Sequence, residues 1–182
     1  MAPAYAYAAQ LGIGDTSTVD ARLDFQECTI GVTETHDYLG GLRGTRSMDI
    51  SRVRQGIRRV GGRIVLQPSE TETKTQLAAW ILGGTPSGSS YPLGDSLSSK
   101  YVAVDHVTKV PVYSGCKVDR ATFRAQQGGP LRLELDIVGV DETVGNAASF
   151  PSLSIPTDGP WVLYDLAITV GGVTYNVRDY EL

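Results

Sequence analysis

Hydrophobic and polar residues alternate along a segment in the second half of the chain. Over 131–137 leucine or isoleucine occupies every odd position, and Arg132, Glu134 and Asp136 lie between them. Successive side chains of a strand point to opposite faces, so the segment predicts a strand with one apolar and one charged face. Together with a strand predicted just upstream, over 116–125, it predicts a long antiparallel hairpin.

Shorter stretches of the same kind predict further strands on both sides of this hairpin. Alternation or short apolar runs mark strands over 22–26, 62–67, 101–104 and 110–113, and a closing hairpin over 161–170 and 173–182. Clusters of glycine, serine and proline predict loops over 33–44, 85–99 and 145–160.

One segment has a helical period instead. Ser69 followed by Glu72 is a capping box, which marks the start of a helix. An apolar stripe at spacing three and four follows, formed by Leu77, Trp80 and Ile81. Gly83 then allows the left-handed turn that ends many helices.

Strands dominate this pattern, so we predict a β-rich fold, all-β or α+β. The expected architecture is an antiparallel β-sandwich or barrel with one flanking α-helix and long hairpin and loop arms. The 182 residues suit one domain. We expect an N-terminal arm over 1–19, which lacks periodicity, and a β domain over 20–182.

Arginine is concentrated between residues 43 and 63, where Asp49 is the only acidic residue. The segment is predicted to be a long hairpin that bends near Gly56 and Gly61, and its arginines are Arg43, Arg46, Arg52, Arg54, Arg58, Arg59 and Arg63. Like charges held close repel, so this density favours an arm whose guanidiniums meet carboxylates of a neighbouring subunit. Two alternatives stay open: an arm that binds phosphates, and a solvated hairpin.

The overall charge argues against a protein whose whole surface binds nucleic acid. The formal net charge is -4 and the pI about 5.1. No apolar run is long enough to cross a bilayer, so no membrane insertion is expected, and the first ten residues lack the basic start of a signal peptide. Cys28 and Cys116 are predicted to be small buried thiols, with a disulfide between them left open.

The chain offers little catalytic or metal-binding chemistry. A zinc site built from the two cysteines, His36 and His106 would lack the close paired spacings of such sites. Neither histidine lies near a nucleophile elbow, and no phosphate or dinucleotide loop occurs. We therefore expect no enzyme, no metal and no cofactor.

An adhesive or carbohydrate-binding sandwich is a third hypothesis, after an assembly subunit and a nucleic-acid-binding barrel. It would require exposed aromatic side chains, and the candidates are scattered: Tyr91, Tyr101, Tyr113 and Trp161.

Three short segments carry a resemblance to a known family. These are the segment from Tyr113 to Asp119, Gly128-Gly129-Pro130-Leu131, and the segment from Leu135 to Gly139. With the capped helix before them and the hairpin from Trp161 after them, they resemble the tail tube (major tail) protein of long-tailed, siphophage-type bacteriophages. The resemblance covers 20–182 and is sharpest over 113–141.

The resemblance implies a structural role in the virion tail. Subunits of that family form hexameric rings that stack into a tube, their sheets join into an inner barrel with the helix outside, and double-stranded DNA passes through the lumen during genome ejection. The implied partners are other copies of the chain, tail proteins at the tube ends and DNA in transit, with assembly in the bacterial host cytoplasm.

The arm at 43–63 would contact a neighbouring subunit. Arg132, Glu134 and Asp136 become candidates to face the lumen, or the outside of the tube if the face is reversed. The alternative function is a nucleic-acid-binding β-barrel that uses the arginine arm on phosphates.

Overall fold

Antiparallel strands form most of the chain in a computed structural model. It describes residues 9–38, 53–88, 90–107, 109–126, 128–146, 150–154, 157–162, 168–175 and 179–181. Within these ranges the strands are β1 (Gln10–Gly14), β2 (Ala21–Leu23), β3 (Phe25–Cys28), β4 (Gly31–Tyr38), β5 (Val53–Leu66), β6 (Lys100–Asp105), β7 (Lys109–Gln126), β8 (Arg132–Gly139), β9 (Asp141–Asn146), β10 (Ile168–Val170), β11 (Val173–Tyr175) and β12 (Asp179–Glu181).

Ten of these strands join into one open antiparallel sheet. Its order is β2-β1-β6-β7-β8-β5-β3, with β4 also paired to β5, and β9 and β12 also paired to β7. β10 and β11 form a separate two-stranded ribbon. The prediction of a β-rich antiparallel fold with one helix is therefore confirmed.

The long strand β7 connects the two halves of the sheet. Its first part pairs with β6 and β9, and its second part, from Lys117, pairs with β8. Gly115 lies near the junction at a φ of 63°, where a Cβ would come within 2.6 Å of Val140 Cγ2. The sequence predicts two separate strands here, and glycine lets one chain serve both halves through a local bend.

One hydrophobic core is shared by both halves and the helix. Its fully buried members include Leu11 of β1, Val102 of β6, Ile64 of β5, Leu135 of β8 and Trp80 of the helix. A smaller cluster around Val19, Ala103 and Val110 is covered by Phe150 and Leu153. Burial of these apolar side chains is the main favourable contribution to the free energy of folding.

The predicted hairpin over 116–140 is confirmed, with its faces as expected. Leu133, Leu135 and Ile137 are buried, whereas the side chains of Arg132, Glu134 and Asp136 lie on the opposite face. A turn containing Gly128, with φ 80°, joins the two strands.

The predicted helix α1 spans residues 70–82. Ser69 and Glu72 form the capping box, and Glu72 also accepts a hydrogen bond from the backbone N–H of Asp24 at 3.0 Å. The helix ends at Gly83, with φ 78°. Its middle, Thr73–Leu77, is π-helical, and the Thr73 hydroxyl donates to the Ser69 carbonyl at 2.7 Å. Such side-chain bonds compete with the α-helical backbone pattern.

The expectation of an arm over residues 1–19 is wrong for part of that segment. β1 lies inside the sheet between β2 and β6, and its residues Leu11 and Ile13 are fully buried. Two of the five residues of Gln10–Gly14 are glycines, so the apolar alternation is too weak to predict the strand from the sequence. Gly14 is required, because a Cβ there would lie 2.5 Å from the Thr18 carbonyl oxygen.

Two further expectations are corrected around the arginine segment. The predicted loop over 33–44 contains most of β4, and its remainder lies outside the described residues. The hairpin does not bend at Gly56 or Gly61, since both lie within the single strand β5. It is formed by β4 and β5, which pair from Gly31–Gly61 to Tyr38–Val53.

The closing hairpin is confirmed at its tip, and residues 163–167 and 176–178 of its two strands lie outside the described residues. β10 and β11 pair around Gly171 and Gly172, whose φ values are 60° and 82°. β12 pairs with the end of β7, from Asp179–Gln126 to Glu181–Arg124. The last described strand is thus part of the main sheet.

Candidate functional site

Four of the seven predicted contact arginines lie on β5. These are Arg54, Arg58, Arg59 and Arg63. Arg43, Arg46 and Arg52 lie outside the described residues. Because side chains alternate along a strand, Arg59 and Arg63 share one face of the sheet, and Arg58 lies on the face that buries Val60 and Ile64.

Arg58 is held by acidic groups of its own chain. Its guanidinium lies 2.8 Å from the Asp141 carboxylate and 3.9 Å from that of Glu142, and it donates to the Glu142 carbonyl oxygen at 3.3 Å. The sequence pattern does not predict strand β9, which supplies both acids. The acidic pair Asp141-Glu142, shortly after β8, is the only sequence signal for this contact.

Arg63 is also paired within the chain. It donates through Nε to Asp136 Oδ1 at 2.8 Å, and its Nη1 lies 3.5 Å from Glu134. This hydrogen bond, with the nearby negative charge, raises the pKa of Arg63. The two carboxylates were predicted as charged-face residues, and the structure brings them onto one face with Arg63 and Arg132.

Arg54 and Arg59 differ from these two. Neither has a carboxylate at ion-pair distance among the described residues; Arg59 lies opposite Thr33 and Arg54 opposite Asp37 in the β4–β5 ladder. A role in contacting a neighbouring subunit therefore stays a prediction that rests on Arg54 and Arg59 within the described part of the arm.

Glu134 is the centre of the charged face. Its carboxylate lies 3.1 Å from Arg132 Nε and 3.6 Å from Arg124 Nη1, in addition to its contact with Arg63. Sequence alternation predicts that Glu134 and Arg132 share a face. The sequence does not indicate Arg124 as a member of this face, because its position opposite Arg132 depends on the pairing of β7 with β8.

The two histidines and two cysteines do not form a shared site. His36 is exposed on β4, 3.9 Å from Glu34, whereas the backbone N–H of His106 closes the turn between β6 and β7 by donating to Lys109. Both cysteines are free, and burial raises the pKa of Cys28 and raises that of Cys116 to about 12. No group of three metal-ligating side chains occurs in the ranges that the structure describes.

Three of the four candidate aromatic residues are hydrogen-bonded to their own chain. Tyr113 is buried and donates its hydroxyl to the Ile30 carbonyl at 3.0 Å. Trp161 donates to the Thr73 hydroxyl, and Tyr91 to the Lys74 carbonyl. These contacts tie the aromatic groups to their own chain and disfavour the carbohydrate-binding hypothesis. Among the described residues, no helix has the length and apolar character needed to cross a bilayer.

An open β-rich sheet with a projecting charged hairpin is typical of a subunit that completes its structure in an assembly. A family model described as "Phage tail tube protein" matches residues 4–182, so the chain belongs to the phage tail tube protein family. It is accordingly a structural protein of the phage tail rather than a member of an enzyme family. The narrower siphophage type stays a prediction.

Solved structures of contractile injection systems have a similar fold. A chain of the PVC sheath–tube complex, from an extracellular contractile injection system in the extended state, aligns with a TM-score of 0.50 at 10% identity, over 79% of this chain and 92% of that one. A chain of the anti-feeding prophage tube-terminating cap aligns with a TM-score of 0.50 at 11% identity, over 81% and 93%.

A chain of the 6-fold symmetrised anti-feeding prophage baseplate gives the same TM-score of 0.50 at 12% identity, over 81% and 98%. At such low identities the likeness concerns the fold alone. No curated protein matches the sequence.

Proposed function

We propose that copies of this chain form rings that stack into the tail tube, through which double-stranded DNA passes during genome ejection. The observation that carries the proposal is an open sheet, with edges that have no partner among the described strands, in a chain of the tail tube family. Exposed edges are liable to pair with other chains, and a closed ring satisfies them with identical neighbours.

The edges lie at opposite ends of the second half of the sheet. On one side, β3 and β4 each pair only with β5 among the described strands. On the other side, β12 covers only the last three residues of β7, and Lys117–Phe123 have no second partner strand in the described part of the chain. We propose that the β3–β4 edge of one subunit meets the β7–β12 edge of the next.

Six subunits per ring is our proposal for the stoichiometry. It is supported by the symmetry of the anti-feeding prophage baseplate, whose chain shares the fold. The similar chains in a tube-terminating cap and in a sheath/tube terminator support partners at the tube ends for this chain as well. We place the mature protein in the virion tail, assembled in the host cytoplasm, and expect no catalytic activity of its own.

The arm is proposed to contact a neighbouring subunit or ring through Arg54 and Arg59, whereas Arg58 and Arg63 serve mainly to hold their own chain together. The face that carries Arg132, Glu134 and Asp136 is proposed to line the lumen. A mixed charge there suits a conduit, because uncompensated cations would bind the phosphates of the passing duplex.

Negative-stain electron microscopy at increasing protein concentration tests the proposal. We expect rings or hollow tubes with a lumen wide enough for duplex DNA. Reversal of Arg54 and Arg59 to glutamate should reduce tube formation while the monomer stays folded. Lys74→Glu, a charge reversal on α1, serves as the control and should leave tube formation unchanged.

Failure of the wild-type protein to assemble, even when preformed tail-tip complexes are added as initiators, would contradict the proposal. Salt-sensitive DNA binding by such a persistent monomer, lost on reversal of Arg54 and Arg59, would favour the nucleic-acid-binding alternative.

A further inference from the structure

The charged face of the sheet carries both cations and anions, and three of its arginines lie around Glu134. Residues opposite one another in a ladder share a face, so register assigns the members. The cations at these positions are Arg59 and Arg63 on β5, Lys117, Arg120 and Arg124 on β7, and Arg132 on β8; the anions are Glu27 on β3, Glu134 and Asp136 on β8, and Asp179 and Glu181 on β12.

Glu134 lies at ion-pair distance from three arginines of this face at once. It contacts the guanidiniums of Arg132, Arg63 and Arg124 at 3.1, 3.5 and 3.6 Å. Its side chain is only 12% exposed, whereas those of the three arginines are about half exposed. The carboxylate is thus enclosed, and the cations around it remain within reach of solvent.

The position of Glu134 also explains how Arg124 and Arg132 tolerate each other. These two residues are direct cross-strand partners, an arrangement in which like charges are destabilising. Glu134 contacts both, which offsets their repulsion, and Glu181 lies opposite Arg124 in the β7–β12 ladder. The two arginines and Glu134 line an open depression of about 480 Å³ whose other polar walls are Gln26, Gln67 and Gln126. A phosphate group has room to enter it.

We infer that Glu134 is the residue that keeps this face from binding the phosphate backbone of duplex DNA. The inference rests on the proposed function, in which the face lines a DNA conduit. Glu134 would prevent binding of a nucleic acid of any sequence, because the guanidiniums would contact the phosphates and make no specific contacts with the bases. Removal of the Glu134 charge would turn a neutralised cluster into a phosphate-binding one.

The test uses the full chain as a monomer, at a concentration below that of assembly, and a fluorescein-labelled duplex. Glu134→Gln keeps the size and hydrogen-bonding capacity of the side chain while removing its charge. We expect the affinity for the duplex to rise about fivefold at low salt, and the dependence of log affinity on log salt to steepen by about one, the contribution of one freed guanidinium.

Two further variants make the result specific. Asp95→Asn removes the same charge from the exposed loop after α1 and should leave DNA affinity near the wild-type value. Adding Arg132→Gln to Glu134→Gln should return both the affinity and the salt dependence toward wild type. A Glu134→Gln protein that binds DNA no better than Asp95→Asn would overturn the inference. If Glu134→Gln unfolds, Asp136→Asn, which uncovers Arg63, should show a smaller gain of the same sign, and no gain would equally overturn it.

Assembled tubes separate this inference from the proposed function. DNA added outside preformed Glu134→Gln tubes should bind no better than to wild-type tubes, because the face would be enclosed. Enhanced binding both to the monomer and to the outside of tubes would support the role of Glu134 while refuting the lumen placement.

Discussion

The two halves of β5 show the same strand in opposite environments. From Val60 to Leu66 it is paired on both sides, by β4 or β3 and by β8, and its residues Ile64, Val65 and Leu66 are buried. From Val53 to Arg59 only β4 pairs with it among the described strands, and Ile57 is 61% exposed against 1% for Leu66.

The difference shows which forces can hold a strand in this chain. The inner half is fixed by core packing and two ladders, whereas the outer half has one ladder and exposes both faces. A two-stranded ribbon alone in water is marginally stable at best. The outer half therefore has the properties expected of a surface that gains its stability from a neighbouring molecule.

The largest expected effect on stability is in the buried core, at a residue of β8 that lies opposite the inner half of β5. Leu133, fully buried opposite Leu66, should not tolerate aspartate, because the change buries a charge in the core. We expect Leu133→Asp to lose about 4 kcal/mol or more, enough to prevent folding, as judged by circular dichroism and thermal denaturation.

Val138→Asp is the matched control on the same strand, since Val138 is 55% exposed. It should remain folded. A soluble, cooperatively unfolding Leu133→Asp protein would show that the faces of the β7–β8 hairpin are assigned the wrong way round.

A smaller effect is expected at the boundary between the two halves. Arg58→Glu would place a third carboxylate beside Asp141 and Glu142. We expect the monomer to lose about 2 kcal/mol of unfolding free energy, measured by urea denaturation, since the half-buried guanidinium is replaced by a like charge. Arg59→Glu, one residue away and without such a partner among the described residues, should change the monomer's stability little. Equal losses in both variants would contradict the distinction between them.

Alkaline pH should destabilise the folded chain through two buried acidic groups of β7, the Cys116 thiol and the Tyr113 hydroxyl. Burial raises the pKa of Cys116 to about 12 from an ordinary value of 9.0, and burial, with nearby Glu142, raises the pKa of Tyr113. A group whose pKa is higher in the folded than in the unfolded state stabilises the folded chain fully at any pH below its unfolded-state pKa. This stabilisation is lost as the pH rises toward the folded-state pKa.

We therefore expect the urea midpoint to fall as the pH rises above about 9, with no comparable fall between about pH 7 and 8.5. Cys116→Ala should reduce the steepness of this loss, although it also lowers the midpoint at every pH by leaving a cavity. An unchanged steepness would show that the thiol does not contribute.

The smallest effect is expected in the outer half. Ile57→Asp should alter the monomer's unfolding free energy by no more than about 0.5 kcal/mol, because the side chain is already in solvent. The same variant should lower the yield of tubes in electron micrographs if the arm contacts a neighbour. A large loss of monomer stability would show that Ile57 is covered by its own chain.

Local pattern was sufficient for several features of the fold. Alternation over 131–137 gave a strand and its faces, because the period of two is a property of the backbone itself. Ser69, Glu72 and Gly83 marked both ends of α1 through contacts made within a few residues. The Gly171-Gly172 turn was predicted on the same basis, from the positive φ that glycine adopts readily.

Other features had no local signature. β1 has only five residues, two of them glycine, and becomes a strand because β2 and β6 lie on either side of it. The partners of Arg58 and Arg63 are more than 70 positions away along the chain, as their contacts with Glu142 and Asp136 show. The sequence indicates that arginines in this density require carboxylates, without indicating which molecule supplies them.

The amino-acid sequence by itself determined the fold class, the helix with its caps, the two faces of β8 and the resemblance to tail tube proteins, because each depends on residues close together in the chain. Only the tertiary structure decided that β7 links both halves of the sheet, that Arg58 and Arg63 are compensated internally, and that Glu134 lies among three guanidiniums. Those outcomes depend on strand register, which is set by the packing of the whole core rather than by any one segment.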